Sequence, residues 1–416
     1  MNKVRRAGRA SSYLLSAAGS ALSGSKPPKP PQGTVTVGEL EAYVNKLVEI
    51  GRPPGLSLAV VKDGEIVYIR GFGLADGPKN IAATPDTVFQ WMSITKIATA
   101  VAIFQLHERA ALNIEDPVIK HLPLFEVHSP STNGEQITIR HLLNHSSGLV
   151  HPKHMLGMVH VDGRPYPDQV ELVKHLVAKY RNLKFEPGTR ASYTNLGYTV
   201  LGAIVEVVSG QAHHEYLVEH IFRPLRMDNS NHVYTKAMRA NAAVGSQPRG
   251  NIISALLAMV VEDPDFFIRE TVNGRMWLKR ASPDFSGGAG VNGPVGEAAL
   301  FAAAFLNRGS LNGNRILSPE SVAMMIEDGH IVAEGGPGLI YKGAKHGLGW
   351  LIWPNGGRQC IMHSGEGPGF SSIMQLYPEE GLGVVVMGNE WPYGMALRGT
   401  AIRDSIAHVA ANIDWR

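Results

Sequence analysis

Apolar residues recur at helical spacing in VGELEAYVNKLVEI (37–50), and the run stops at Gly51 and Pro53, which predicts an amphipathic helix. Immediately afterwards the period changes. GLSLAVVKDGEIVYIRGFG (55–73) reads as two β-rich runs joined around Lys62, Asp63 and Gly64, where Asp-Gly supplies the positive φ angles of a tight hairpin. From Thr95 to about Tyr341 helical patterns dominate: IATAVAIFQLHERA, TIRHLLNHSS, VELVKHLVAKY, YTVLGAIVEVVSG, EYLVEHIF, EAALFAAAFLNRG and SPESVAMMIEDG. Strand patterns then return in HGLGWLIWP, RQCIMHSG and FSSIMQLYPEEGLGVVVMGNE, the last a hairpin turned at Pro378 to Gly381, before a closing helix of roughly Ala396 to Ile413.

Strands at both ends of a chain with a long helical stretch between them imply an α/β (α+β) architecture. One antiparallel sheet is built from both termini and flanked by the terminal helices, beside a mainly helical domain. The expected division is a tail over 1–36 and one composite domain over 37–416. Within it, a sheet part spans about 37–92 and 342–416 and a helical part about 93–341. No internal repeat is present.

Charge changes the picture in one place. Lys3, Arg5, Arg6, Arg9, Lys26 and Lys29 all precede the first acidic residue, Glu39, and removing those six charges from the net +3 leaves −3 for the rest. The body is faintly acidic with no basic stripe, so no nucleic-acid partner is expected. The Arg- and Ser-rich tail with its Pro-rich spacer fits a targeting segment of export or organelle-transit type, and equally a disordered basic tail on a cytosolic protein. No stretch reaches the length of a membrane span; the most apolar, NIISALLAMVV from Asn251, is expected in a core or lining a pocket. Cys360 is the single cysteine, so no internal disulfide can form.

Candidate chemistry begins in FQWMSITKIATA (89–100), where Ser93 and Lys96 fall one helical turn apart, on one face, at the start of a helix. The free amides of a first turn favour an oxyanion, and a lysine in apolar surroundings loses solvation of its charged form and can accept the serine proton. Spacing alone is weak evidence, since Ser23 and Lys26 repeat it in the tail.

A second candidate is SYTNLGY: Tyr193 and Asn195 follow the turn EPGTR and precede a helix. A tyrosine held by a lysine cation as phenolate can relay protons, and an asparagine can hold both the lysine and a substrate carbonyl. Tyr180-Arg181-Asn182 has the same pattern but ends an amphipathic helix.

The third is CIMHSGEGPGF. Here Gly365 would let a substrate backbone approach the strand edge, the Glu366 amide would complete an oxyanion hole with that of Ser93, and His363 would supply a donor or a positive charge. Ser364 lies between them. Period-two alternation turns Cys360 to the opposite face, where a packed thiol is expected.

SITK, YTN and HSG, in that order with a long helical region between, resemble the active-site set of the β-lactamase-related serine hydrolases. These include class C β-lactamases, D-alanyl-D-alanine carboxypeptidases, D-stereospecific aminopeptidases and family VIII esterases. ITIRHLLNHSSGL, FEPGTRASYTNLGYTVLG, HGLGW and HSGEGPGF strengthen the resemblance, which runs from about Val37 to the C-terminus.

It implies Ser93 as the acylated nucleophile, Lys96 and Tyr193 sharing proton transfer, Asn195 orienting, and His363 to Gly365 bordering a small ester or amide substrate, with no cofactor. Where β-lactamases carry lysine-threonine-glycine this chain has histidine-serine-glycine, which is more like the carboxypeptidase, aminopeptidase and mitochondrial β-lactamase-like branches. A D-specific peptidase, a weak β-lactamase and a non-catalytic penicillin-binding-like sensor or scaffold stay open.

An α/β-hydrolase is unsupported, since no G-x-S-x-G is present. His145, His151, His154 and His160 match no zinc spacing and read as substrate-loop or surface residues. Trp350, Trp353, Phe370 and Tyr377 could line an acyl pocket or sit in the core.

Overall fold

A computed structural model of the chain describes residues 27–129, 137–152, 155, 158–161, 164–249, 267–327, 331–334, 344–355, 357–391 and 402–416. The first helix, α1 (Val37–Glu49), starts at a capping box in which Glu39 N–H donates to Thr36 Oγ1 and Thr36 N–H donates to the Glu39 carboxylate. It buries Leu40, Tyr43, Val44 and Leu47. Strands β1 (Gly55–Lys62) and β2 (Glu65–Asp76) form the expected hairpin, with φ of 52° at Asp63 and 85° at Gly64.

Both termini build one sheet. β1 pairs antiparallel with β6 (Leu382–Gly388), from Leu56 opposite Gly388 to Lys62 opposite Leu382. β5 (Phe370–Tyr377), β4 (Arg358–Gly367) and β3 (Leu351–Asn355) follow in antiparallel order, and short segments at Ile81–Ala82, Lys345–His346, Ile331–Glu334 and Ala191–Ser192 bring the sheet to ten strands. The final pairing, Ile331–Glu334 with Ala191–Ser192, is parallel.

Side-chain alternation divides the core in two. Leu56, Leu58, Val60, Cys360, Met362, Val384 and Val386 face α1 and the C-terminal helix α6 (Ile402–Ala411). Ala59, Val61, Ile361, Met374, Val385 and Met387 face the helical side. Both faces are covered, so β1, β5 and β6 are buried along nearly their whole length.

On the helical side, α2 (Thr95–Glu108) is buried nearly all round, and α4 (Asn195–Ser209) packs on it and on α3 (Gln169–Lys179). α5 (Val295–Leu306) lies against β1 and β6. A three-stranded sheet of Ser246–Pro248, Arg275–Leu278 and Ile268–Val272 interrupts the region read from sequence as helical, its strands too short and too polar to show a clear period.

Cys360 is fully buried, and burial pushes its thiol up to about 12. The aromatic residues resolve as core. Trp350 packs on Phe305, Tyr377 lies under the Arg358 guanidinium, Trp353 packs against the α1-side core, and Phe370 is buried against Gly245. Residues 1–26, His154 and the run from Asn251 lie outside the described residues. Among the described residues no helix is long and apolar enough to cross a membrane.

Candidate active site

Ser93 sits in a single 3-10 turn, Met92–Ile94, that runs directly into α2. The turn is clamped to the sheet: Ser372 Oγ donates to the Trp91 carbonyl at 2.7 Å, and Met92 takes a φ of 50°. A left-handed methionine beside a candidate nucleophile is local strain sustained by its surroundings. Gly365 explains part of how. A Cβ there would fall 2.2 Å from the Trp91 carbonyl oxygen and 2.4 Å from Ser372 Oγ. Gly365 therefore permits the close approach of the chain's own Ser93 turn.

Lys96, the second residue of α2, is fully buried. Its Nζ donates to Asn195 Oδ1 at 2.7 Å and to the Gly288 carbonyl at 2.6 Å, and lies 3.2 Å from Ser93 Oγ. Burial holds its pKa well below the usual lysine value of 10.5. A neutral amine has two N–H groups and one lone pair. In the neutral amine the two obligate acceptors would take the two hydrogens and turn the lone pair toward the serine hydroxyl.

Tyr193 and Asn195 flank Thr194, which is the N-cap of α4 through its bond from Leu196 N–H. With Thr194 capping, Asn195 is free to turn its side chain to Lys96. The Tyr193 hydroxyl shares a hydrogen bond with Ser93, and its ring lies 5.0 Å from Lys96 Nζ. Burial raises the Tyr193 pKa above 10.0, which disfavours the expected phenolate.

Two histidines missed as functional support this turn. His145 Nδ1 accepts the Thr194 N–H and His151 Nδ1 accepts the Asn195 N–H, each at 3.3 Å. His145 is buried, stacks at 4.4 Å from the Tyr193 ring and takes a φ of 60°. His160 instead pairs with Asp284 at 2.8 Å. The surface reading therefore fails for His145, which lies in the buried turn just past the helix Ile139–Leu143.

The third motif ends β4. Met362 is the last β4 residue paired with β3, while β5 pairs through to Gly367. His363 to Gly367 thus has one unpaired edge among the described residues. His363 Nδ1 donates to the Ser364 carbonyl at 2.8 Å, leaving Nε2 as an acceptor, and burial lowers its pKa to about 3. With Nδ1 on the Ser364 carbonyl and burial opposing protonation, the positive charge expected from sequence is disfavoured. The Glu366 carboxylate is bound by Arg403 and Trp391 from the other side of the motif.

Burial also holds His151 and His346 at about 4 and His232 at about 3, and keeps His145 and His213 well below 6.5. Unfolding returns each to its ordinary value, so the unfolded chain takes up more protons below pH 6.5. The contribution is fully present above about pH 6.5 and is lost as pH falls toward 4 to 3. At about 1.4 kcal/mol per pK unit per group, the aggregate is on the order of several kcal/mol. Urea midpoints are expected to drop steeply between pH 7 and pH 5, with far less change between pH 7 and pH 8.

The beta-lactamase family model matches residues 40–407. Protein flp of Staphylococcus aureus (strain MW2) is 25% identical over 351 residues, which are 84% of this chain and 62% of flp, so the chain spans under two thirds of that relative's length. A putative penicillin-binding protein PbpX of Bacillus subtilis is 35% identical over 52% of this chain and 50% of its own. Among solved structures, the octameric penicillin-binding protein homologue from Pyrococcus abyssi superimposes with a TM-score of 0.71 at 27% identity, covering 91% of this chain and 77% of that one. EstCE1, a hydrolase with promiscuous acyltransferase activity, shares the fold with a TM-score of 0.68 at 20% identity, over 89% and 97%. With a ten-stranded sheet closed from both termini and a family match over most of its length, the chain belongs to the beta-lactamase family.

Proposed function

We propose that the protein is a serine hydrolase that cleaves a small ester or amide through an acyl-enzyme on Ser93. The observation that carries this reading is the placement of Lys96 Nζ, 3.2 Å from Ser93 Oγ with Asn195 Oδ1 and the Gly288 carbonyl as its other partners, so that the neutral amine would turn its lone pair to Ser93. Lys96 takes the Ser93 proton as Oγ attacks the carbonyl carbon. The amides of Ser93 and Glu366 receive the oxyanion, and Lys96 and Tyr193 return a proton to the leaving group. Water then attacks the acyl-enzyme by the reverse proton route, releasing the acid and freeing Ser93.

His363 favours uncharged substrates over carboxylate-bearing ones. A neutral imidazole whose only N–H is spent on the Ser364 carbonyl offers a carboxylate no donor. Loss of one charge-assisted hydrogen bond costs about 1.5–3 kcal/mol, on the order of 10- to 100-fold. Side-by-side turnover of p-nitrophenyl esters, D-aminoacyl p-nitroanilides and nitrocefin tests this. Esters are expected to lead, with nitrocefin behind by at least about tenfold. Nitrocefin at or above the ester rate would favour a β-lactamase, preferred anilides a D-peptidase, and an adduct that never deacylates a sensor.

A further inference from the structure

Arg403 opens the C-terminal helix α6 yet reaches back to the third motif. It is 4% exposed, its Nη1 donates to the Gly365 carbonyl at 3.4 Å, and its Nη2 binds Glu366 Oε1. The other Glu366 oxygen accepts from Trp391 Nε1 at 3.4 Å, and Asp404 lies 3.5 Å from Arg403 Nε. A buried arginine in a first helical turn is doubly disfavoured, by desolvation and by the helix dipole, so its partners must compensate it. Two of its partners, the Gly365 carbonyl and the Glu366 carboxylate, belong to one peptide unit or its side chain.

That peptide unit carries the amide assigned above to the oxyanion. In a planar trans peptide the carbonyl of one residue and the N–H of the next point in opposite directions. Fixing the Gly365 carbonyl on the Arg403 side therefore fixes the Glu366 N–H on the opposite side. The Glu366 side chain, tied to Arg403 and Trp391, prevents the same unit from rotating. The Ser93 turn packs directly on this unit, its Trp91 carbonyl and Met92 close enough to Gly365 to exclude a Cβ.

We infer that Arg403 is a positioning residue for the oxyanion hole, aiming the Glu366 amide by holding the Gly365 carbonyl and the Glu366 carboxylate together. The inference rests on the Ser93 acyl-enzyme reading. It gives the carboxylate of Glu366 a task distinct from that of its amide, and it ties the C-terminal helix to the chemistry of a turn more than 300 residues earlier in the chain.

The test compares an ester with its thionoester, p-nitrophenyl acetate against O-(p-nitrophenyl) thionoacetate, since a thiocarbonyl sulfur is larger and a poorer acceptor and so benefits little from an aimed N–H. Arg403→Met is expected to lower kcat for the ester on the order of 10- to 100-fold, as misplacing a group by about an ångström does. KM should stay within about threefold, and the thionoester rate should scarcely change, so that the ester-to-thionoester ratio collapses. Arg403→Lys, which cannot bridge both partners with one point charge, should fall between the two. Glu366→Gln, which keeps the shape and removes the charge, should shift the ratio in the same direction and serves if Arg403→Met does not fold.

Equal losses on both substrates would assign Arg403 a purely structural role and overturn the inference, as would an unchanged ratio in the folded variants. Ester turnover by wild type that survives Ser93→Ala would instead overturn the reading beneath it.

Discussion

Ser93→Ala is expected to lower p-nitrophenyl ester turnover by at least about 10⁴-fold, the scale on which removal of a nucleophile acts, with little change in melting temperature. The stability expectation follows from the site's construction. The hydroxyl is half-buried in a turn held by backbone and by Ser372, and Lys96 keeps its bonds to Asn195 and Gly288 without it. Stopped assays on purified variant and wild type, with circular dichroism melts of both, measure the two quantities together. Residual turnover within tenfold of wild type would place the nucleophile elsewhere.

Lys96→Met should cost about 10²- to 10⁴-fold in kcat, the range of a general base, and should also change the shape of the pH profile. In wild type the rate rises with pH as Lys96 gives up its proton, and burial places that limb well below 10.5. The variant should lose the limb. It should also lose stability, because the buried Gly288 carbonyl and the part-buried Asn195 Oδ1 would lose their donor. A limb that persists unchanged in Lys96→Met would mean that another group deprotonates Ser93.

Much of the fold could be read from the chain because the signals were local. Asp63-Gly64 set the first hairpin, apolar spacing that stops at Gly51 and Pro53 set α1, and period-two alternation turned Cys360 away from the site. Ser93, Lys96 and Asn195 were found because their spacing and flanking turns sit on one short element each. The Gly288 carbonyl could not be found: it is backbone, 192 positions from Lys96, and no side-chain pattern marks it. Arg403 is hidden for a similar reason, as one arginine in a helix whose partners lie on β4.

The errors have a common physical source. Reading Tyr193 as phenolate and His363 as a donor or a positive charge assumed that a nearby lysine stays charged and that imidazole stays solvated. Burial removes both assumptions, lowering Lys96 and His363 and raising Tyr193. Gly365 was marked as a point of close approach, and the turn carrying Ser93 packs there. Sequence shows that a glycine makes room; packing decides for what.

The central claim is an acyl-enzyme on Ser93, and intact-protein mass spectrometry after treatment with a fluorophosphonate tests it most directly. Wild type should gain the mass of one phosphonyl group, mapped by peptide fragmentation to Ser93, and Ser93→Ala should gain none. A label on any other residue, or one that persists in Ser93→Ala, would contradict it.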